Sequence, residues 1–75
     1  MKAAYFIMET EVDKNGEYIV CIAVEGETGY YRTDWHWGKD IKLARECADE
    51  MNEKMGISKE EAMLIQLRSM RPIPS

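Results

Sequence analysis

Histidine, phenylalanine, proline and cysteine are all scarce in this chain of 75 residues, which holds one His, one Phe, two Pro and two Cys. With His36 as the only imidazole, the several-ligand His/Cys spacing of a zinc site is missing, and a His-based triad has a single possible base. The two cysteines, Cys21 and Cys47, lie far apart and neither belongs to a CxxC pair. They read as reduced, buried small hydrophobes rather than as a disulfide or a metal site. Both prolines, Pro72 and Pro74, stand at the C-terminal end, so no proline interrupts the body of the chain. Apolar runs stay short, as in Ile19 to Val24, whereas a membrane-spanning helix needs about 20 apolar residues. No signal-peptide core precedes Glu9, and the expected location is cytoplasmic.

Positive charge is also in short supply. Lys and Arg number 10 against 14 Asp and Glu, a net charge of -4 at pH 7. That balance argues against binding nucleic acid through phosphate contacts. The excess acid is confined to residues 1–38, which hold seven acids and three bases; residues 39–75 hold seven of each.

What is present is a patterned small domain, 45% hydrophobic and 32% charged. A core of this size has little room for a ligand pocket of roughly 300 Å³ or more, which argues against a self-contained enzyme. Lys2 to Thr10 mixes aromatic and aliphatic residues and reads as a strand. Tyr18 to Val24 is apolar on both faces and reads as a buried central strand. Asp13-Lys14-Asn15-Gly16 lies between them, and Asn-Gly is a strong hairpin signal because both residues accept positive φ. A turn at Glu25 to Gly29 leads to a third strand over Tyr30 to Asp34, with Trp35 to Gly38 leaving the sheet.

The second half carries helical spacing. Ile41, Ala44, Cys47, Ala48, Met51 and Met55 form one apolar stripe between Lys39 and Met55. Gly56 follows as a left-handed C-cap, and Ile57 is placed to close it hydrophobically. Ser58-Lys59-Glu60-Glu61 is a capping-box pattern that starts a second helix running to about Met70. Met63, Leu67 and Met70 make the stripe expected to face the core, which points Leu64 and Ile65 elsewhere. The expected architecture is α+β: a small antiparallel three-stranded meander followed by two helices (β-β-β-α-α), with the helices packed on one sheet face. Residues 1–71 form the domain, and 72–75 form a short flexible tail.

Few residues suggest chemistry. Cys21 is placed mid-strand, Cys47 on the buried stripe, and Ser58 in a cap, which leaves no nucleophile, no catalytic residue, no metal site and no cofactor to expect. The carboxylates Glu46, Asp49, Glu50 and Glu53 share a solvated helix face. The segment Tyr30 to Trp37 stands out because half of it is Tyr or Trp, the residue types enriched in binding hot spots.

The order of an N-terminal strand, an Asn-Gly turn followed by Tyr18, a Gly-bearing turn and a helix with Ala44 and Ala48 resembles the HicB-type antitoxin domain over roughly residues 3 to 52. The resemblance implies a topology only, since Thr33 to Lys39 depart from that family's glycine-rich segment.

The functional expectation is a small acidic, non-enzymatic protein–protein interaction module, of the kind phage or plasmid accessory proteins use to bind or inhibit a partner protein. Tyr30, Tyr31, Arg32, Trp35 and Trp37 are the candidate partner-binding residues. Leu64 and Ile65 are the candidates for self-association as a homodimer. The alternative is a nucleic-acid-associated module that stacks bases on the aromatic strand Tyr30 to Trp37.

Overall fold

The computed structural model describes residues 1–69. The element order is β1 (Ala3–Phe6), β2 (Ile19–Val24), β3 (Tyr30–His36), α1 (Ile41–Lys54) and α2 (Lys59–Ser69). The strands form an antiparallel sheet of order β1-β2-β3, so the expected β-β-β-α-α order is the observed one. The expected end of the second helix at Met70, and the tail over 72–75, lie outside the described residues.

β1 stops at Phe6 rather than at Thr10 because a turn follows at once, with the Glu11 N–H donating to the Met8 carbonyl at 3.1 Å. The Asn-Gly turn does form, but it joins Val12 to Tyr18, outside the main ladder. Asp13 organises it: its carboxylate accepts from the Asn15 and Glu17 N–H groups at 2.8 and 3.0 Å. The Gly16 N–H donates to the Asp13 carbonyl at 3.1 Å. Gly16 has φ +81° while Asn15 keeps a negative φ. Positive φ is thus needed at one turn position rather than two, the pattern of a type I turn closed by a left-handed glycine.

β3 runs two residues beyond the expected Asp34. The register shows why. Arg32 pairs with Cys21 and His36 with Ile19, so four steps of β3 match two of β2. The extra length is taken up in a bulge, where Thr33 Oγ1 donates to the Val20 carbonyl at 2.8 Å and accepts from the Trp35 N–H at 3.1 Å. A side-chain hydroxyl thus replaces ladder bonds and lets the strand rejoin β2.

Both helices begin and end on local signals. The Asp40 carboxylate accepts from the Lys42 and Leu43 N–H groups at the start of α1. At its end the Gly56 N–H donates to the Glu53 carbonyl and the Ile57 N–H to the Asn52 carbonyl, a Schellman closure with Gly56 at φ +79°. Ile57 is buried beneath it. Ser58 Oγ then accepts from the Glu61 N–H at 3.1 Å and starts α2.

The α+β order is the expected one, but the buried core forms two clusters of opposite strand parity, so the helices pack on opposite faces of the sheet rather than on one. Ala4, Phe6, Cys21 and Ala23 pack with Ile57 and Ile65, beneath α2. Ile7 and Val20 pack with Ala44 and Ala48 of α1. Asn52, also buried, sits at the outer edge of β1 (its Oδ1 accepts from the Tyr5 N–H at 2.8 Å and its Nδ2 donates to the Tyr5 carbonyl at 2.9 Å). One side chain thereby does what a neighbouring strand would do, and the two helices straddle the edge that it closes.

The helix stripes read from spacing are both rotated. On α1 the buried residues are Ala44, Ala48 and Asn52, while Cys47 and Met55 are exposed. The bonds to Tyr5 set the rotation about the α1 axis, and alanine lets the helix approach closely. On α2 Ile65 is buried while Met63 and Leu67 are exposed, so these two residues of the stripe expected to face the core face outward, and Met70 lies outside the described residues. The face that docks carries Ala62 and Ile65, which pack on the cluster of Ala4 and Ala23, and the buried Ser69, whose Oγ donates to the Glu27 carbonyl at 3.4 Å.

Candidate protein-interaction surfaces

The five aromatic-strand candidates divide into two groups. Tyr30 belongs to the core: its ring meets Phe6 edge to face at 5.4 Å. Its hydroxyl donates to the Glu11 carboxylate at 2.6 Å, and that bond, with burial, pushes its pKa up to about 12. Trp37 is half-buried against the cluster of Ile7, Val20 and α1. The other three are on the surface. Tyr31 and Trp35 are each 47% exposed. The Trp35 ring lies tilted over Tyr5 at 5.5 Å, and the Tyr31 hydroxyl donates to the Glu27 carboxylate. Arg32 is exposed, with its guanidinium 3.7 Å from the Glu11 carboxylate.

The two self-association candidates also separate. Leu64 is 59% exposed, whereas Ile65 is 6% exposed and packs in the core, so Ile65 is removed from the candidate surface. Met63 and Leu67, each 61% exposed, take its place. On a helix position 67 neighbours both 63 and 64, so Leu67 links Met63 and Leu64 into one apolar row on the outward side. Spacing alone indicated that α2 has more apolar residues than one face can bury; which of them the sheet takes depends on the docking.

No arrangement for catalysis stands out among the described residues. His36 pairs with the Asp13 carboxylate. That carboxylate is held below its ordinary pKa chiefly by the Glu17 N–H, with Asn15 and His36 helping. Among the described residues no group of three or more His, Cys, Asp or Glu is placed to hold a metal ion. A groove of about 290 Å³ lies between the helices over β1, bordered by Tyr5, Ala48, Asn52, Ala62 and Met63. Glu46, Asp49, Glu50 and Glu53 border a separate concavity with Lys59, whose Nζ is 3.9 Å from Asp49.

The thiols differ sharply. Burial pushes Cys21 up to about 11, which suppresses its thiolate at neutral pH, while Cys47 is open to solvent. A thiol-reactive dye is therefore expected to label one cysteine quickly in the native protein and the second only after denaturation. Rapid labelling of both in the folded chain would contradict the burial of Cys21.

No family model matches this chain, and neither a curated protein nor a solved structure shows significant similarity to it. No helix among the described residues is long and apolar enough to cross a membrane.

Proposed function

We propose that this chain is a small non-enzymatic protein–protein interaction module, with the apolar row of α2 as a contact surface for another protein. The observation that carries the reading is the adjacency of Met63, Leu64 and Leu67 on one side of a helix whose other side is already docked. Large apolar side chains grouped in this way favour association, because covering them removes that area from water. Methionine adds a flexible surface that adapts to its partner. The exposed aromatics Tyr31 and Trp35 are a second contact area, with rigid rings that lose little entropy on binding.

The test uses Leu64→Gln, which removes apolar area at an exposed position and should leave the melting temperature nearly unchanged. Association, with itself or with a captured protein, is expected to weaken about tenfold, or ~1.4 kcal/mol. Light scattering and sedimentation read self-association, and affinity capture compared between wild type and variant reads binding to others. A single-chain mass at high micromolar concentration, together with capture unaffected by Leu64→Gln, overturns the reading for this surface.

A further inference from the structure

We infer that the free edge of β3 pairs with β3 of a second copy of this chain, antiparallel about a two-fold axis at Thr33, to form a continuous six-stranded sheet. This goes beyond the α2 surface and is independent of it.

The sheet has two outer edges, and they are treated differently. At the β1 edge the Asn52 amide occupies both main-chain groups of Tyr5. The β3 edge has no neighbouring strand among the described residues. The main-chain groups that face outward follow from the register. The Ile19 N–H and the Glu25 N–H bond toward the β1 side, to Glu11 and Lys2, so odd-numbered β2 residues point that way. Ile22 therefore points to β3 and meets Tyr31. Tyr30 and Arg32 then turn their N–H and C=O outward, and beyond the bulge so does His36, opposite Ile19.

The sequence of this edge is complementary to itself. Reversing Tyr30-Tyr31-Arg32-Thr33-Asp34-Trp35-His36 about Thr33 sets Arg32 opposite the partner's Asp34, and Asp34 opposite the partner's Arg32. Tyr31 meets the partner's Trp35, and Tyr30 meets the partner's His36. Opposite charges and aromatic pairs are the combinations that stabilise directly opposed positions on antiparallel strands. Parity agrees: Tyr30 and His36, both outward in their main chains, meet as a hydrogen-bonded pair at each end, while Tyr31 and Trp35 fall in the closer, non-bonded class. Asp34 is exposed and has no ion-pair partner among the described residues, so its charge is free for a second chain.

Charge exchange tests this directly. Asp34→Arg puts two arginines opposite each other twice and should raise the dimer dissociation constant at least tenfold. Arg32→Asp does the same with carboxylates. Each variant alone is expected to run as a single chain in sedimentation, and an equimolar mixture of the two should associate. Circular dichroism of each variant establishes that both are folded before they are mixed. In the wild type the amides of Tyr30, Arg32 and His36 should gain hydrogen-exchange protection with protein concentration, whereas Tyr31 is protected throughout. If the wild type keeps a single-chain mass up to millimolar concentration, or its association ignores Asp34→Arg, the pairing is wrong. Association lost on Leu64→Gln but not on Asp34→Arg overturns the pairing and leaves the α2 reading standing; the converse pattern does the reverse.

Discussion

Replacing Asn52 by Leu lowers the unfolding free energy by about 2–3 kcal/mol, although the two side chains have the same branched shape and number of heavy atoms. The substitution removes both partners of Tyr5 at once and leaves an N–H and a C=O unpaired beneath α1. An unsatisfied main-chain group away from water loses its hydration without replacement, and a leucine has nothing to offer it. Urea unfolding followed by circular dichroism measures the change. A loss below about 0.5 kcal/mol shows that water entering the adjacent groove restores the bonds. Asn52→Asp separates the two halves of the interaction. The carboxylate still accepts from the Tyr5 N–H but faces the Tyr5 carbonyl without a hydrogen to donate. Its charged form is disfavoured in the fold, which raises the folded-state pKa. The resulting destabilisation is full above that pKa and fades as pH falls to the unfolded value. A variant whose deficit stays constant from neutral pH to acid would show that its carboxyl titrates alike in the folded and unfolded chain, so that the Tyr5 carbonyl does not oppose its charge.

Phe6→Ala is expected to lower stability by about 3–5 kcal/mol, comparable with all that a domain of this size possesses. Phe6 is 5% exposed and joins β1, β2 and α2 in one cluster. Its ring supports Tyr30 edge to face, so removing it also leaves the Tyr30–Glu11 bond without its packing. Much of the variant should be unfolded at room temperature, with broad thermal melting and concentration-dependent aggregation. Phe6→Leu keeps most of the volume and should lose only about 1–2 kcal/mol. A well-folded Phe6→Ala protein would place the weight of the core in the other cluster, around Val20 and α1.

The sequence identified each element where a few neighbouring residues suffice. Gly56 and Ile57 close α1 as their types require, Ser58 opens α2, and the apolar run of β2 occupies the centre of the sheet. These are short-range demands, met by the backbone within one turn. β3 was legible as a strand but not in its length, because a bulge bonded through Thr33 to Val20 has no local signature. The aromatic candidates were found together, yet Tyr30 and Trp37 serve the interior while Tyr31, Arg32 and Trp35 reach the surface.

Helix rotation was beyond the sequence alone. Periodicity says that a stripe exists, and on α2 it favours the larger side chains. Docking favours the face that fits, and over Ala4 and Ala23 that face is Ala62 and Ile65. On α1 the deciding residue, Asn52, is polar and so invisible to any hydrophobic pattern. Scarcity of histidine, cysteine pairs and basic charge sets the expectation about chemistry without any fold, because composition is read directly from the chain. Which apolar residues remain exposed to meet another protein was decided by packing across the sheet edge, between residues far apart in sequence, where shape and hydrogen-bond satisfaction outweigh hydrophobicity.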